Sequence, residues 1–323
     1  MSAHRRTEPR RQHTVPRVHL KRFVDPTIPP DTWVYEKGRP GPQQQPIRAL
    51  FRLRDYYTLR HEDRTRDYSI ETDLHGGLED AVEPVLQKLV GRAMIAPPER
   101  HTMVGFLASL RTRVPPFHRR FARAAGARAF RQAKELASDP VEFEQVTRKL
   151  IQAGRFSLDD MTIQELRQAI LGDDESNWRM DSVSALIGSV FSLEIIARQI
   201  AALRWLFIEA AADKRFVTSD NPVVIADPKH RIISFFGTVP LGEGAFLTFP
   251  VSPDLALVAT PRSGPEGFRK GSPEFVHAIN EQTILGAAKL VCADHESVEL
   301  DALVQQLAHD EKHPWPLCNE SSR

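Results

Sequence analysis

Ser219, Asp220 and Asn221 set a hydroxyl, a carboxylate and an amide side by side between two β-type runs, Phe216-Val217-Thr218 and Pro222-Val223-Val224-Ile225. Held at the end of a buried strand, three such groups can form a binding or catalytic edge. Ser, Asp, Asn and Pro are also turn formers, each for its own reason, so an Asx-turn that satisfies the local main chain accounts for the same residues. His13 lies just before Pro16, which can start a short helix with Leu20 and Phe23 at helical spacing. There an imidazole serves either as a helix-start residue bonded to main chain, or as a general base or metal ligand. Glu79, Asp80 and Glu83 stand in the first turns of a helix beginning at Gly76, where acids complement the positive helix end. Glu79 can do chemistry only if it points into a cleft. Ser219 is rejected as a nucleophile, because strand resumes at Pro222 where an elbow needs a helix, and no His–acid pair is placed near it by sequence.

Other function classes are excluded by composition. The 323 residues are 41% hydrophobic, enough to build one large core or two modest ones. Lys plus Arg number 43 against 42 Asp plus Glu, a net charge of +1, so contact with nucleic acid has to rest on local patches. Two patches qualify. Residues 1–12 form a basic arm bearing Arg5, Arg6, Arg10 and Arg11, with the composition of a disordered segment. A helix from about Pro116 carries Arg119, Arg120, Arg123, Arg128, Arg131 and Lys134, whose plainer role is a solvated face. Cys292 and Cys318 are too few for a zinc finger, a CxxC motif or a disulfide framework, which fits a reducing cytoplasm. The basic start is not followed by the apolar run of a secretory signal. The most apolar segment, 183–208, is interrupted by Ser, Glu, Arg and Gln, so no membrane span is expected.

The elements that must position these groups follow from periodicity. Apolar residues at helical spacing predict helices from Gly76, over 99–112, from Pro116, over 140–153 and over 162–171 with Thr162 as a cap. The stretch from Val183 to Leu203 is apolar almost all round and reads as a central helix buried on both sides. Short β-type runs follow at 205–208, 216–218, 223–225, 232–236, 245–249 and 255–259, then a helix at 274–290, a strand at 290–293 and a helix at 296–309. The expected fold is α+β: a helical N-terminal and central part packed with a mainly antiparallel C-terminal sheet. One domain spans 13–310, helix-rich over 76–203 and strand-rich over 204–293, and 311–323 reads as a tail.

Several of these stretches recur together. His13-x-Val15-Pro16-Arg17, Tyr56-Tyr57-Thr58-Leu59, Ile70-Glu71, Leu78-Glu79, Arg113-x-Pro115, Trp205, Thr218-Ser219-Asp220-Asn221-Pro222, Phe249-Pro250-Val251-Ser252-Pro253 and Asn280 resemble, in this order, the uncharacterised DUF4238 family. The family often carries a second histidine where Gln12 stands. The resemblance implies one coherent domain and gathers His13, Glu71, Glu79, Asp220, Arg113, Asn221 and Asn280, a set that core packing does not require and a polar site does. The expected function is metal-assisted hydrolysis of a phosphoester, in nucleic acid among others. Glu79 and Asp220, joined by Glu71, would hold a divalent cation such as Mg or Mn, with His13 as general base or ligand and Arg113 stabilising negative charge. The alternative is a non-catalytic module that binds nucleic acid or another protein.

Overall fold

The computed structural model describes residues 11–60, 65–158, 160–226 and 245–308. The expected strand at 232–236, the arm before Arg11, the tail from 311 and Cys318 lie outside them. The chain opens with β1 (Arg11–His13), α1 (Arg17–Leu20), β2 (Asp31–Glu36), β3 (Arg39–Pro46), β4 (Arg52–Arg54), β5 (Leu59–Arg60) and β6 (Arg66–Asp67). A π-helical stretch, Ile70–His75, runs into α2 (Gly76–Val90), followed by α3 (Pro97–Thr112), α4 (Pro115–Ser138), α5 (Pro140–Gln152), α6 (Ile163–Gly172) and α7 (Ser182–Ala201). Then come β7 (Arg204–Glu209), β8 (Thr218–Ser219), β9 (Val224–Ala226), β10 (Phe246–Ser252), β11 (Leu255–Thr260), β12 (Gly267–Lys270), α8 (Pro273–Gly286), β13 (Leu290–Ala293) and α9 (Val298–Ala308). The fold is α+β, as its alternation of periods implies.

Two sheets carry most of the strands. One has the order β12-β7-β11-β10-β9 and the other β3-β2-β13-β8. All their pairings are antiparallel except β12 with β7, a parallel edge that the Gly- and Pro-rich sequence around it conceals. Phe216–Val224 is a strand–turn–strand unit, but its two strands belong to different sheets: β8 pairs with β13, and β9 with β10. The corner therefore carries the chain from one sheet to the other. Gly286, at the end of α8, permits the close approach this needs, because a Cβ there would stand 2.5 Å from Val224 Cγ2.

Two results correct the sequence-based expectation. Arg11 and Gln12 do not belong to a mobile arm; with His13 they form β1 against β4, and the Gln12 side chain is fully buried. The described residues group into two compact units, residues 118–188 and the rest of the chain. The smaller unit is helical, with α5 started by the Asp139 side chain and α6 by the reciprocal Thr162–Glu165 capping box. Second, α7 is not buried on both sides: Val183, Ile187, Phe191 and Ile195, one turn apart in succession, are 39–76% exposed. By length and composition alone α7 also passes as a membrane-crossing helix, a test that core helices pass equally.

Candidate functional site

The polar residues singled out by sequence divide into two groups with different surroundings. The first is centred on Arg113, which caps the C-terminal end of α3 with its side chain 1% exposed. A guanidinium is buried at such cost that every N–H needs an acceptor. Here Nε donates to the Thr14 carbonyl at 3.0 Å, and Nη2 donates to the His13 carbonyl at 2.8 Å and to Glu79 Oε1 at 3.0 Å. The Arg113 carbonyl in turn accepts the buried Tyr57 hydroxyl at 2.5 Å. Gln12 fastens the same corner, accepting the Tyr57 N–H at 2.6 Å and donating to Thr58 Oγ1 at 3.1 Å. Glu79 thus does more than complement the α2 terminus: it and Glu83, one turn later, ion-pair with Arg113 and Arg22 respectively.

Antiparallel pairing of β1 with β4 sets Arg52 directly opposite His13. The His13 Nε2 is buried without a hydrogen-bond partner. Burial, then the nearby charges of Arg52, Arg113 and Arg17, lowers the His13 pKa to about 4. Glu71 sits near enough for the His13 main chain and the Arg113 charge to act on its carboxyl. It is carried by the π-helical stretch, whose wider turn changes the direction of side chains relative to α2; such turns recur at functional sites. Burial raises the Glu71 carboxyl to about 7, with Glu79 adding to the effect and Arg113 opposing it. Its Oε2 is buried with no hydrogen-bond partner, as is Arg52 Nε. His13, Glu71, Arg52 and Arg113 therefore form an acid–base group under a positive potential, open to solvent at Glu79, which is 27% exposed.

The second group is the Ser219-Asp220-Asn221 corner. The Asp220 carboxylate accepts the main-chain N–H groups of Ala288 at 2.7 Å, Lys289 at 2.8 Å and Leu290 at 3.0 Å, tying the corner to the α8–β13 connection. Burial pushes its carboxyl above the usual range, while those N–H groups and Lys37 pull it down. Ser219 Oγ accepts the Asn221 N–H at 3.2 Å, and Asn221 Nδ2 donates to the Gly286 carbonyl at 2.9 Å. Asn280 spends both ends of its amide on main chain, accepting the Val217 N–H at 3.1 Å and donating to the Arg215 carbonyl at 2.8 Å. Asp220, Asn221 and Asn280 make none of these bonds to the Arg113 group. Among the described residues no three His, Cys, Asp or Glu side chains are gathered as a metal ion requires, so Asp220 does not stand with Glu71 and Glu79 as a third ligand.

Sequence reasoning missed Arg52, whose place opposite His13 depends on strand register. The His75–Ser109 contact of 3.0 Å, behind Tyr57, was also unmarked. Of the basic residues on α4, Arg131 pairs with Glu175 at 2.9 Å and Lys134 lies over the Phe130 ring. Arg119, Arg123 and Arg128 are exposed.

An α+β chain with these stretches in this order has a recognised relative group. The model of the family described as "Protein of unknown function (DUF4238)" matches residues 11–297, and the chain belongs to that family. Searches of the curated proteins and of the solved structures found no match.

Proposed function

We propose that this protein is a phosphoester hydrolase that works by general acid–base chemistry at the His13–Glu71–Arg52–Arg113 group. The observation that carries this reading is the pair of buried, unpartnered atoms, Glu71 Oε2 and His13 Nε2, on residues that both feel the Arg113 charge, with Arg113 also bonded to the His13 carbonyl. A carboxyl raised to about 7 is still partly protonated at neutral pH and serves as a proton donor. In this reading the charges of Arg17, Arg52 and Arg113 attract the phosphoryl group, and Arg52 Nε–H hydrogen-bonds one of its oxygens. Water attacks phosphorus while the bond to the leaving oxygen breaks; Glu71 gives its proton to that oxygen, and His13 Nε2 takes the proton from water. The bound anion raises the His13 pKa and so makes it a stronger base in the complex.

The test is turnover of bis(p-nitrophenyl) phosphate, p-nitrophenyl phosphate, single-stranded DNA and RNA, each with EDTA, Mg or Mn. Wild type turns over at least one of them, with kcat/KM falling above pH about 7, where Glu71 loses its proton. Glu71→Gln lowers kcat about 100-fold or more, the usual scale for loss of a positioned acid. Absence of turnover by wild type, or a Glu71→Gln variant as fast as wild type, defeats the reading. A second reading, nucleic-acid binding without catalysis, is favoured by the exposed Arg119, Arg123 and Arg128 on α4.

A further inference from the structure

The five-stranded sheet and α8 diverge at one end. Ile208 of β7 and Ala256 of β11 pack directly against Val276 and Ile279 of α8. The next rows of the same sheet face do not close. Register sets Leu206, Val258 and Thr248 in one row across β7, β11 and β10, with Arg204, Thr260 and Phe246 in the row beyond. Between those rows and Phe275, Ala278 and Ile279 of α8 lies a cavity of about 480 Å³, within the range of small-molecule sites, which is roughly 300–1,000 Å³.

Three features make it more than a packing gap. Its floor is apolar, formed by Leu206, Val258 and Ile279. Thr248 interrupts that floor: it is 1% exposed, and its Oγ1 has no hydrogen-bond partner. A valine has the same shape without the cost of an unpaired hydroxyl, so packing alone gives no reason for threonine here. The polar edge is cationic. Arg204 and Arg262 line the cavity, and no Asp or Glu does among the described residues. Arg204 Nη1 is held by the Ser263 carbonyl at 2.9 Å, leaving its Nε buried without a partner.

We propose that this cavity binds a small amphipathic anion: an apolar chain lies along Leu206, Val258 and Ile279, a carboxylate or phosphate head meets Arg204 and Arg262, and Thr248 donates to a polar atom of the ligand. The site is separate from the His13–Glu71 group and stands or falls without it. Calorimetric titration with decanoate, decyl phosphate and decanol tests it. Wild type binds at least one of the two anions, and binds decanol at least tenfold more weakly; whichever anion binds tighter identifies the head. Arg204→Gln reduces anion affinity to the level of decanol, and Thr248→Val lowers it several-fold. Ala278→Trp, which fills the cavity from α8, abolishes binding, whereas Glu71→Gln binds as wild type does. No binding of either anion, decanol bound as tightly as the anions, or full binding by a folded Ala278→Trp protein overturns the proposal. Should Ala278→Trp not fold, Thr248→Val decides, because it preserves shape: unchanged affinity then overturns it.

Discussion

Both the Arg113 group and the Asp220 corner bury a carboxylate among polar neighbours, and they put it to opposite use. At Asp220 the acceptor capacity is spent on three main-chain N–H groups, so the charge works as a clamp between the sheet crossing and the α8–β13 connection. Around Arg113 the Nε and Nη2 groups are bonded, yet Glu71 Oε2, His13 Nε2 and Arg52 Nε are left over. Closed networks stabilise; open ones hold groups ready for something else, at a cost in stability. The Asp220 carboxylate therefore acts as a clamp, although Asn221 Oδ1 beside it is also buried without a partner, and the neighbourhood of His13, with three such atoms, is the candidate proposed for chemistry.

The contrast can be broken at several points. The largest effect is expected at Arg113, where Arg113→Met leaves Glu79 and two carbonyls without their donor. The loss in unfolding free energy is about 3–5 kcal/mol, the usual result of removing one partner from a buried charge network. Denaturant titration measures it, and a loss below 1 kcal/mol denies Arg113 its central place.

Glu71→Gln has the opposite sign. A carboxyl raised from 4.5 to about 7 on folding favours the native state below pH 4.5 and loses that advantage as pH rises through 7, by at most about 3 kcal/mol. The glutamine variant lacks this titration, so it is more stable than wild type at pH 8 relative to their difference at pH 4. Equal pH profiles for the two proteins leave Glu71 as an ordinary surface acid.

Asp220→Asn keeps the shape of the corner but replaces a charged acceptor of three N–H groups, for a loss of about 2 kcal/mol. Turnover per folded molecule should stay at the wild-type level. A variant that is stable but inactive makes the corner part of the reacting site and dissolves the contrast. The smallest effect is on α4: replacing Arg123 or Arg128 by Gln reduces the salt slope of any DNA or RNA binding by about 1. No association at low salt removes the nucleic-acid reading altogether.

The α7 stripe shows where periodicity stops informing. Val183, Ile187, Phe191 and Ile195 differ in no local respect from buried helical residues, yet no described element covers them fully. Apolar composition states what a helix can bury, while packing decides what it does bury. The parallel β12 was hidden for a related reason, since its short run Gly267-Phe268-Arg269-Lys270 has neither alternation nor β-branched residues to mark it.

What the sequence determined by itself is local. The order of helical and strand periods implied an α+β fold, Thr162-x-x-Glu165 announced a capping box, and Ser-Asp-Asn-Pro announced a turn, because each rests on contacts within a few residues. The tertiary structure alone decided the rest. Asp220 finds its donors some 70 residues further on, and Arg52 meets His13 only through strand register. Glu71 acquires its raised pKa from burial among segments that local spacing does not bring together. A carboxylate looks the same in a sequence whether its lone pairs will be filled or left open; only the neighbours supplied by folding make one a clamp and the other an acid.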